Sequence, residues 1–399
     1  METKKGILSR NMVTLYISGF IYGIGGQMWP TFWTLYVLSL GLTLSQIGFV
    51  LSLRASLGVI FNLLGGLLSD RLGRKRLIVI PGYVTVLGYL VYTQANSLEQ
   101  LIIGETLVGF DSMRWASLQA LQAESVSVRD RAQAYAGFDT AVGISGIIVP
   151  IIAGLIIESH GIIAGERASF VVAIVCVLMA NTLRGIFLQE TLNPVDRQRI
   201  EDSHIHESLG ERTKEVMSNK SLRAILISYS LRGFATEAIR PLLVIYCINH
   251  IGISDTEWGI LAGISTAAMM ISRIPVARFS DSYSRRIAML IGGFMYPFWT
   301  ITCFIAPGFS WLIFVAMIEP VAISFAVSSR DAYIADHVPA YRRAGTFSVI
   351  LSTISLATIP ASLVGATLWE IYGPAATFSL CTVLLIASGL ILLAYSKEE

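Results

Sequence analysis

Ionisable side chains stand inside the longest apolar stretches of this chain, and their chemistry is what calls for explanation. Arg54, Glu105, Asp111, Arg114, Asp139, Arg232, Glu237, Arg240 and Glu319 each fall within an apolar run long enough to cross a bilayer. A charge at the centre of a membrane helix costs about 2.5–3.5 kcal/mol on insertion scales, so such residues face a cavity or one another. Asp111 and Arg114 are three apart and share a helical face, as do Glu237 and Arg240 just before Pro241. Arginine grips a carboxylate or phosphate through two parallel N–H bonds. A carboxylate held between burial and a neighbouring cation is able to take up and release a proton. The candidate binding residues are therefore Arg54, Asp111, Arg114, Arg232, Glu237 and Arg240, with Trp33, four residues from Trp29, as an aromatic partner. The candidate proton carriers are Asp139, Asp111, Glu105 and Glu319. Asp139 lies about 12 Å in from Arg131 by helical rise, where desolvation and nearby cations oppose each other. The bland alternative is a set of permanent structural ion pairs. Arg273, Arg330 and Asp331 lie nearer the inner ends of their runs, where a long side chain reaches the interface.

The elements that must position these residues are membrane helices. Of 399 residues, 54% are hydrophobic and 14% charged, with mean hydropathy +0.66. Soluble domains carry about 25% charged residues, so lipid is the natural solvent for most of this surface. Twelve segments suit a span of about 20 residues: 11–40, 45–69, 76–95, 99–125, 132–158, 168–189, 221–249, 256–281, 287–306, 310–336, 344–371 and 374–396. The fold expected is an all-α membrane protein, with an N-terminal six-helix half (1–190), a charged cytoplasmic linker (191–220) and a C-terminal six-helix half (221–399). Lys and Arg crowd alternate loops, such as Arg71 to Arg76, Arg129/Arg131, Arg285/Arg286 and Arg342/Arg343; Arg167 is the exception. The positive-inside rule then puts both termini in the cytoplasm. The halves also repeat: Pro30 matches Pro241, Gly41 matches Gly252 and Asp70 matches Asp281, all at an offset of 211. Arg131 matches Arg343 and Gly161 matches Gly373 at 212. Two halves of like orientation form a parallel repeat, with a binding site expected at the midplane.

One loop names a family. Gly65-Gly66-Leu67-Leu68-Ser69-Asp70-Arg71-Leu72-Gly73-Arg74-Lys75-Arg76 resembles the signature loop of the major facilitator superfamily of secondary transporters. A worn copy, Ala277-Arg278-Phe279-Ser280-Asp281-Ser282-Tyr283-Ser284-Arg285-Arg286, keeps the aspartate and the basic pair but has Ser284 in place of the glycine. The resemblance implies gating roles. Asp70 would dock at the start of span 11 near Arg343, with Arg74 and Glu124 beside it. Asp281 would lie against span 5 near Arg131, with Arg285 and Asp336. It also implies that spans 1, 4, 7 and 10 line the cavity, where most of the buried charges fall. Span 5 carries Gly143, Gly146, Pro150 and Gly154 in a looser likeness to the family's drug/proton antiporters, although small residues at this spacing are first a packing device.

Other chemistries find no support in the residues. No nucleotide-binding loop is present. The five histidines sit in or beside loops and the four cysteines stand singly in apolar runs, so no catalytic set, metal or cofactor is expected. A net charge of +2 leaves no nucleic-acid footprint. The expectation is a monomeric carrier, not an enzyme, that moves a small molecule across the cytoplasmic membrane with protons. Export is preferred, and uptake of an organic anion is the alternative.

Overall fold

The computed structural model describes residues 6–192, 209–338 and 343–395, and every element among them is helical. Twelve spans run in chain order. Span 1 is Arg10–Met28 continued by Trp33–Ser39; span 2 is Leu44–Leu72; span 3 is Arg74–Gln94. Span 4 is Leu98–Gly109 and Arg114–Ser125, joined by a tight 3-10 turn at Phe110–Met113. Spans 5 and 6 are Arg131–His160 and Ile162–Phe187. Span 7 is Lys220–Ile239, then a 3-10 turn at Arg240–Leu242, then Leu243–Ile245 and a wide π turn at Tyr246–Ile251. Spans 8, 9 and 10 are Asp255–Ser282, Arg285–Phe304 and Phe309–His337. Span 11 is Arg343–Thr358 with Ala361–Tyr372, and span 12 is Pro374–Tyr395.

Local chemistry sets many of these ends. Ser9, Ser97, Ser254 and Ser284 each cap a helix by accepting from a backbone N–H two or three residues on. Glycines in left-handed or otherwise positive-φ backbone follow spans 1, 5, 7 and 11: Gly41, Gly161, Gly252 and Gly373, at φ 89°, 80°, 83° and 82°. They occupy matching places in the two halves. The signature-loop glycine, Gly73, has φ 97°, whereas Ser284 at the matching place has φ −170°, extended backbone open to any residue. The copy lost its glycine where the backbone ceased to need one.

Among the described residues, nine helices are long and apolar enough to cross a membrane. Spans 1, 4, 7 and 11 are interrupted. Pro30 stands in the gap of span 1, and Pro241 in the 3-10 turn of span 7, where a missing N–H breaks the ladder. Many large apolar side chains stay uncovered, including Leu63, Leu67, Ile274 and Ile371, as suits faces turned to hydrocarbon.

The chain forms two compact units, Met1–Leu42 with Leu53–Ile205, and Thr43–Ser52 with His206–Glu399. In the first, span 1 packs on spans 5 and 6, and span 3 on spans 4 and 6. In the second, span 10 packs on spans 8 and 9, span 12 on spans 7 and 9, and span 7 on span 11. The first turns of span 2 belong to the second unit, where Ser45 N donates to Glu370 Oε2 at 2.6 Å. Small residues permit close approach: a methyl on Gly65 would stand 2.2 Å from Met113 O, and one on Gly365 2.1 Å from Ala238 O.

Two boundaries differ from the sequence reading. Span 6 begins at Ile162, not 168, so Glu166 and Arg167 are helical residues. The 191–220 segment carries a short helix, Leu209–Ser218.

Candidate functional site

In the first unit the break in span 4 organises the charges. Arg114 Nη2 lies 3.0 Å from Asp111 Oδ2, as their spacing led us to expect. Arg114 is 4% exposed, and its guanidinium carbon sits 3.7 Å from the centre of the Tyr22 ring. Arg184, also buried, approaches the same ring at 5.2 Å and donates from Nε to Ser18 Oγ at 3.0 Å. Two guanidiniums thus gather on one tyrosine with a single carboxylate. Asp111 Oδ1, Arg114 Nε and Arg184 Nη1 are buried without a hydrogen-bond partner.

Further out, Arg54 on span 2 is ion-paired with the wholly buried Glu105 on span 4. Nε donates to Oε2 at 2.8 Å, and Nη2 meets Oε1. Arg54 also lies over Trp33 at 4.4 Å and Trp29 at 5.2 Å. Trp33 is 1% exposed and Trp29 6%, so neither is an interface anchor nor an open binding surface. Trp29, Tyr36, Tyr89, Tyr92 and Phe170 form one aromatic cluster. Trp33 packs against the Arg54 guanidinium.

Asp139 lies exposed on the surface of the first unit rather than enclosed by its helices. Arg131 donates from Nε to Ala123 O at 3.2 Å, closing onto the end of span 4 in its own unit. Arg167, the exception to the charge pattern, is held by Ala95 O at 3.3 Å and Asn96 Oδ1 at 2.8 Å.

In the second unit, Arg240 Nη2 lies 2.5 Å from Glu319 Oε1, and its Nη1 3.2 Å from Glu237 Oε1. This cluster holds two carboxylates to one cation and is partly open, with the Arg240 side chain 44% exposed. Arg232, 4% exposed, lies over Tyr229 at 4.3 Å and Tyr296 at 5.1 Å. Its Nε, Nη1 and Nη2 have no hydrogen-bond partner among the described residues. Arg330 does not snorkel outward: it is 8% exposed, pairs with Asp331 at 2.7 Å and approaches Tyr229 at 5.1 Å. Tyr229 is fixed by donating to Ala326 O at 2.5 Å.

Where span 2 meets span 3 and span 8 meets span 9, the repeat is chemical as well as topological. Arg74 Nη1 donates to Ser69 Oγ at 2.7 Å, Ser117 Oγ to Ser69 Oγ at 2.7 Å, and Arg74 Nε lies 3.5 Å from Glu124 Oε1. The matching residues of the second unit do likewise. Ser329 Oγ donates to Ser280 Oγ at 2.9 Å, and Arg285 Nε to Asp336 Oδ2 at 3.3 Å, with Asp281 also on Arg285. The side chains of Asp70 and Arg343 lie outside the described residues. Glu190 completes the first network by accepting from the backbone N–H of Arg74 and Lys75 at 3.0 and 3.1 Å, capping span 3.

Sequence reasoning missed Glu166, Asn181 and Arg184, each 0–1% exposed inside the first unit. Both Glu166 oxygens lack a hydrogen-bond partner there. The displaced start of span 6 hid Glu166, and Arg184, one turn from an inner end, reads in sequence as a membrane anchor.

Interrupted spans and buried charges, set in a twice-repeated six-span unit, define a polytopic membrane protein of carrier architecture. The chain belongs to the Major Facilitator Superfamily, whose family profile matches residues 15–226 and again 225–399. It is similar to a multidrug resistance protein, MdtG, of Enterobacter lignolyticus, 24% identical over 281 residues, covering 68% of this chain and 65% of that protein. It is also similar to a Na(+), Li(+), K(+)/H(+) antiporter of Planococcus maritimus, 30% identical over 152 residues, covering 37% of this chain and 35% of the antiporter. Among solved structures, a crystal structure of the nucleoside transporter NupG superposes with TM-score 0.77 at 16% identity, covering 96% of this chain and 98% of that one. At that identity the likeness establishes the fold.

Proposed function

We propose that the chain is a secondary active transporter that exports a small organic molecule across the cytoplasmic membrane in exchange for protons, by alternating access. Both termini face the cytoplasm, and the monomer is the working unit. The observation that carries this reading is the Asp111–Arg114 pair at the break of span 4. One carboxylate oxygen lies 3.0 Å from Arg114 Nη2, and the other is buried without a hydrogen-bond partner among the described residues. A carboxylate so placed is poised to exchange its arginine for a proton when Arg114 turns elsewhere. A multidrug resistance protein and a cation/proton antiporter among the relatives favour proton exchange and export. Asp111 therefore takes precedence over Asp139, Glu105 and Glu319 as the coupling residue. Arg114, Glu237 and Arg240 remain binding candidates, while Arg54 and Trp33 hold the helices together. The networks around Arg74 with Glu124 and around Arg285 with Asp281 and Asp336 serve as gate supports. Asp70, Arg131 and Arg343 complete that set by family resemblance.

The test separates driven transport from exchange. In proteoliposomes, Asp111→Asn should lose substrate accumulation driven by a pH gradient yet keep substrate–substrate exchange. Undiminished driven accumulation in that variant would move coupling to another carboxylate.

A further inference from the structure

Arg232 differs from the other buried arginines. Arg74 has Glu124, Arg114 has Asp111, Arg330 has Asp331, and Arg184 has Ser18 Oγ. Arg232 lies over the faces of Tyr229 and Tyr296, and none of its three nitrogens has a hydrogen-bond partner among the described residues. Ring faces attract a cation but accept its N–H groups poorly, so the donors stay unspent. Arg232 and Arg330 share Tyr229, and Asp331 pairs with Arg330. On one side the guanidinium lies near Gly293, Gly389 and the Leu392 side chain. A methyl on Gly293 would stand 3.4 Å from Arg232 Nη2 and 3.7 Å from Gly389 Cα. An unpaired cation at this depth opposes folding and insertion, so its retention calls for a partner acquired after folding.

We infer that Arg232 is the docking point for an anionic group, a carboxylate, sulfonate or phosphate carried by the transported molecule. Two oxygens of such a group accept from the guanidinium in the parallel geometry that arginine favours. The flanking tyrosine faces suit an aromatic or planar body attached to that group. The first unit carries a related arrangement, in which Tyr22 receives Arg114 and Arg184 with Asp111 as the neighbouring carboxylate. There Ser18 Oγ takes up one donor of Arg184. The inference rests on the reading of the chain as a small-molecule carrier and narrows its substrates to organic anions.

The experiment uses the full-length protein in lipid nanodiscs. Binding of benzoate, naphthalenesulfonate and phenyl phosphate is measured by calorimetry against benzamide, naphthalenesulfonamide and benzylammonium. At least one anion should bind about tenfold tighter than its neutral counterpart, and Arg232→Gln should abolish that preference. Arg232→Lys, which keeps the charge but not the fork, should retain part of it. Without ligand, Arg232→Met should unfold at or above the wild-type temperature, because it removes a cation that no protein acceptor satisfies. Equal binding of anions and neutral analogues by the wild type would overturn the inference, as would unchanged anion preference in Arg232→Gln. A clear fall in the unfolding temperature of Arg232→Met would make the residue a structural strut and overturn it too. Anion binding through Arg232 without proton-driven flux would leave the inference standing and sink the carrier reading instead. Proton-driven flux with no preference for anions would do the reverse.

Discussion

The Arg54–Glu105 pair offers a stability test with a sign and an order. Glu105 is wholly buried, whereas the Arg54 side chain keeps 31% of its surface exposed. Removing one member of a buried pair costs about 3–5 kcal/mol, because the other is left uncompensated. Glu105→Gln strands an arginine that still reaches solvent and rests on Trp33 and Trp29, so its cost belongs at the lower end, about 3 kcal/mol. Arg54→Met strands a carboxylate with no exposure, so its cost belongs at the upper end, about 5 kcal/mol. Replacing both by Met and Leu removes both charges and should recover most of the loss. The assay is a double-mutant cycle on chemical unfolding of the protein in mixed micelles, with pH-driven transport measured in parallel. Transport by the double variant should persist, since the pair acts as a brace. Single variants within about 0.5 kcal/mol of wild type, or a double variant that folds but cannot transport, would refute this assignment.

Three further outcomes follow from the geometry. Gly73→Ala forces a side chain into φ 97° and within 2.5 Å of Glu190 Oε2. Conformational strain and the disturbed helix cap should together cost about 2–3 kcal/mol, while Ser284→Gly should change unfolding by less than about 1 kcal/mol. Gly65→Ala and Gly365→Ala press a methyl against backbone carbonyls at 2.2 and 2.1 Å. Both should lower the yield of folded, monodisperse protein on size-exclusion chromatography, and normal yield would show that the helices separate freely. For orientation, a cysteine at Lys220 should react only with reagents added on the cytoplasmic side, and one at Ser254 only from outside. The opposite pattern would invert the topology.

The sequence disclosed whatever depends on short spacing. Spans follow from length and apolarity, and the repeat from matched prolines, glycines and loop charges. The Asp111–Arg114 and Glu237–Arg240 pairs follow from helical periodicity, and the structure forms both. Partnerships between distant residues were not legible. Arg54 finds Glu105 51 positions away, and Arg240 finds Glu319 79 positions away. Stacking of two guanidiniums on one tyrosine depends on three helices meeting, which periodicity within one helix cannot report. For Asp139, depth along the span was readable, but whether its side chain is enclosed by its own unit is set by neighbours. The spacing of Trp29 and Trp33 showed a shared face but not that both are enclosed, as the structure has them. Glu166 was lost to a boundary error of six residues, because Glu166 and Arg167 resemble loop residues in an otherwise apolar sequence.

Proton-coupled carriage is the central claim, and accumulation in acid-loaded proteoliposomes tests it most directly. Naphthalenesulfonate and ethidium make suitable probes, since each keeps its charge across the working pH range and so does not redistribute passively with the gradient. With the interior more acidic than the medium, outward proton flow through an exchanger should concentrate at least one of the two inside. Collapse of the gradient by a protonophore should abolish the accumulation, and Asp111→Asn should lack it. Entry of both probes only to the level of the medium, unaffected by the pH gradient, would contradict proton-coupled transport by this chain.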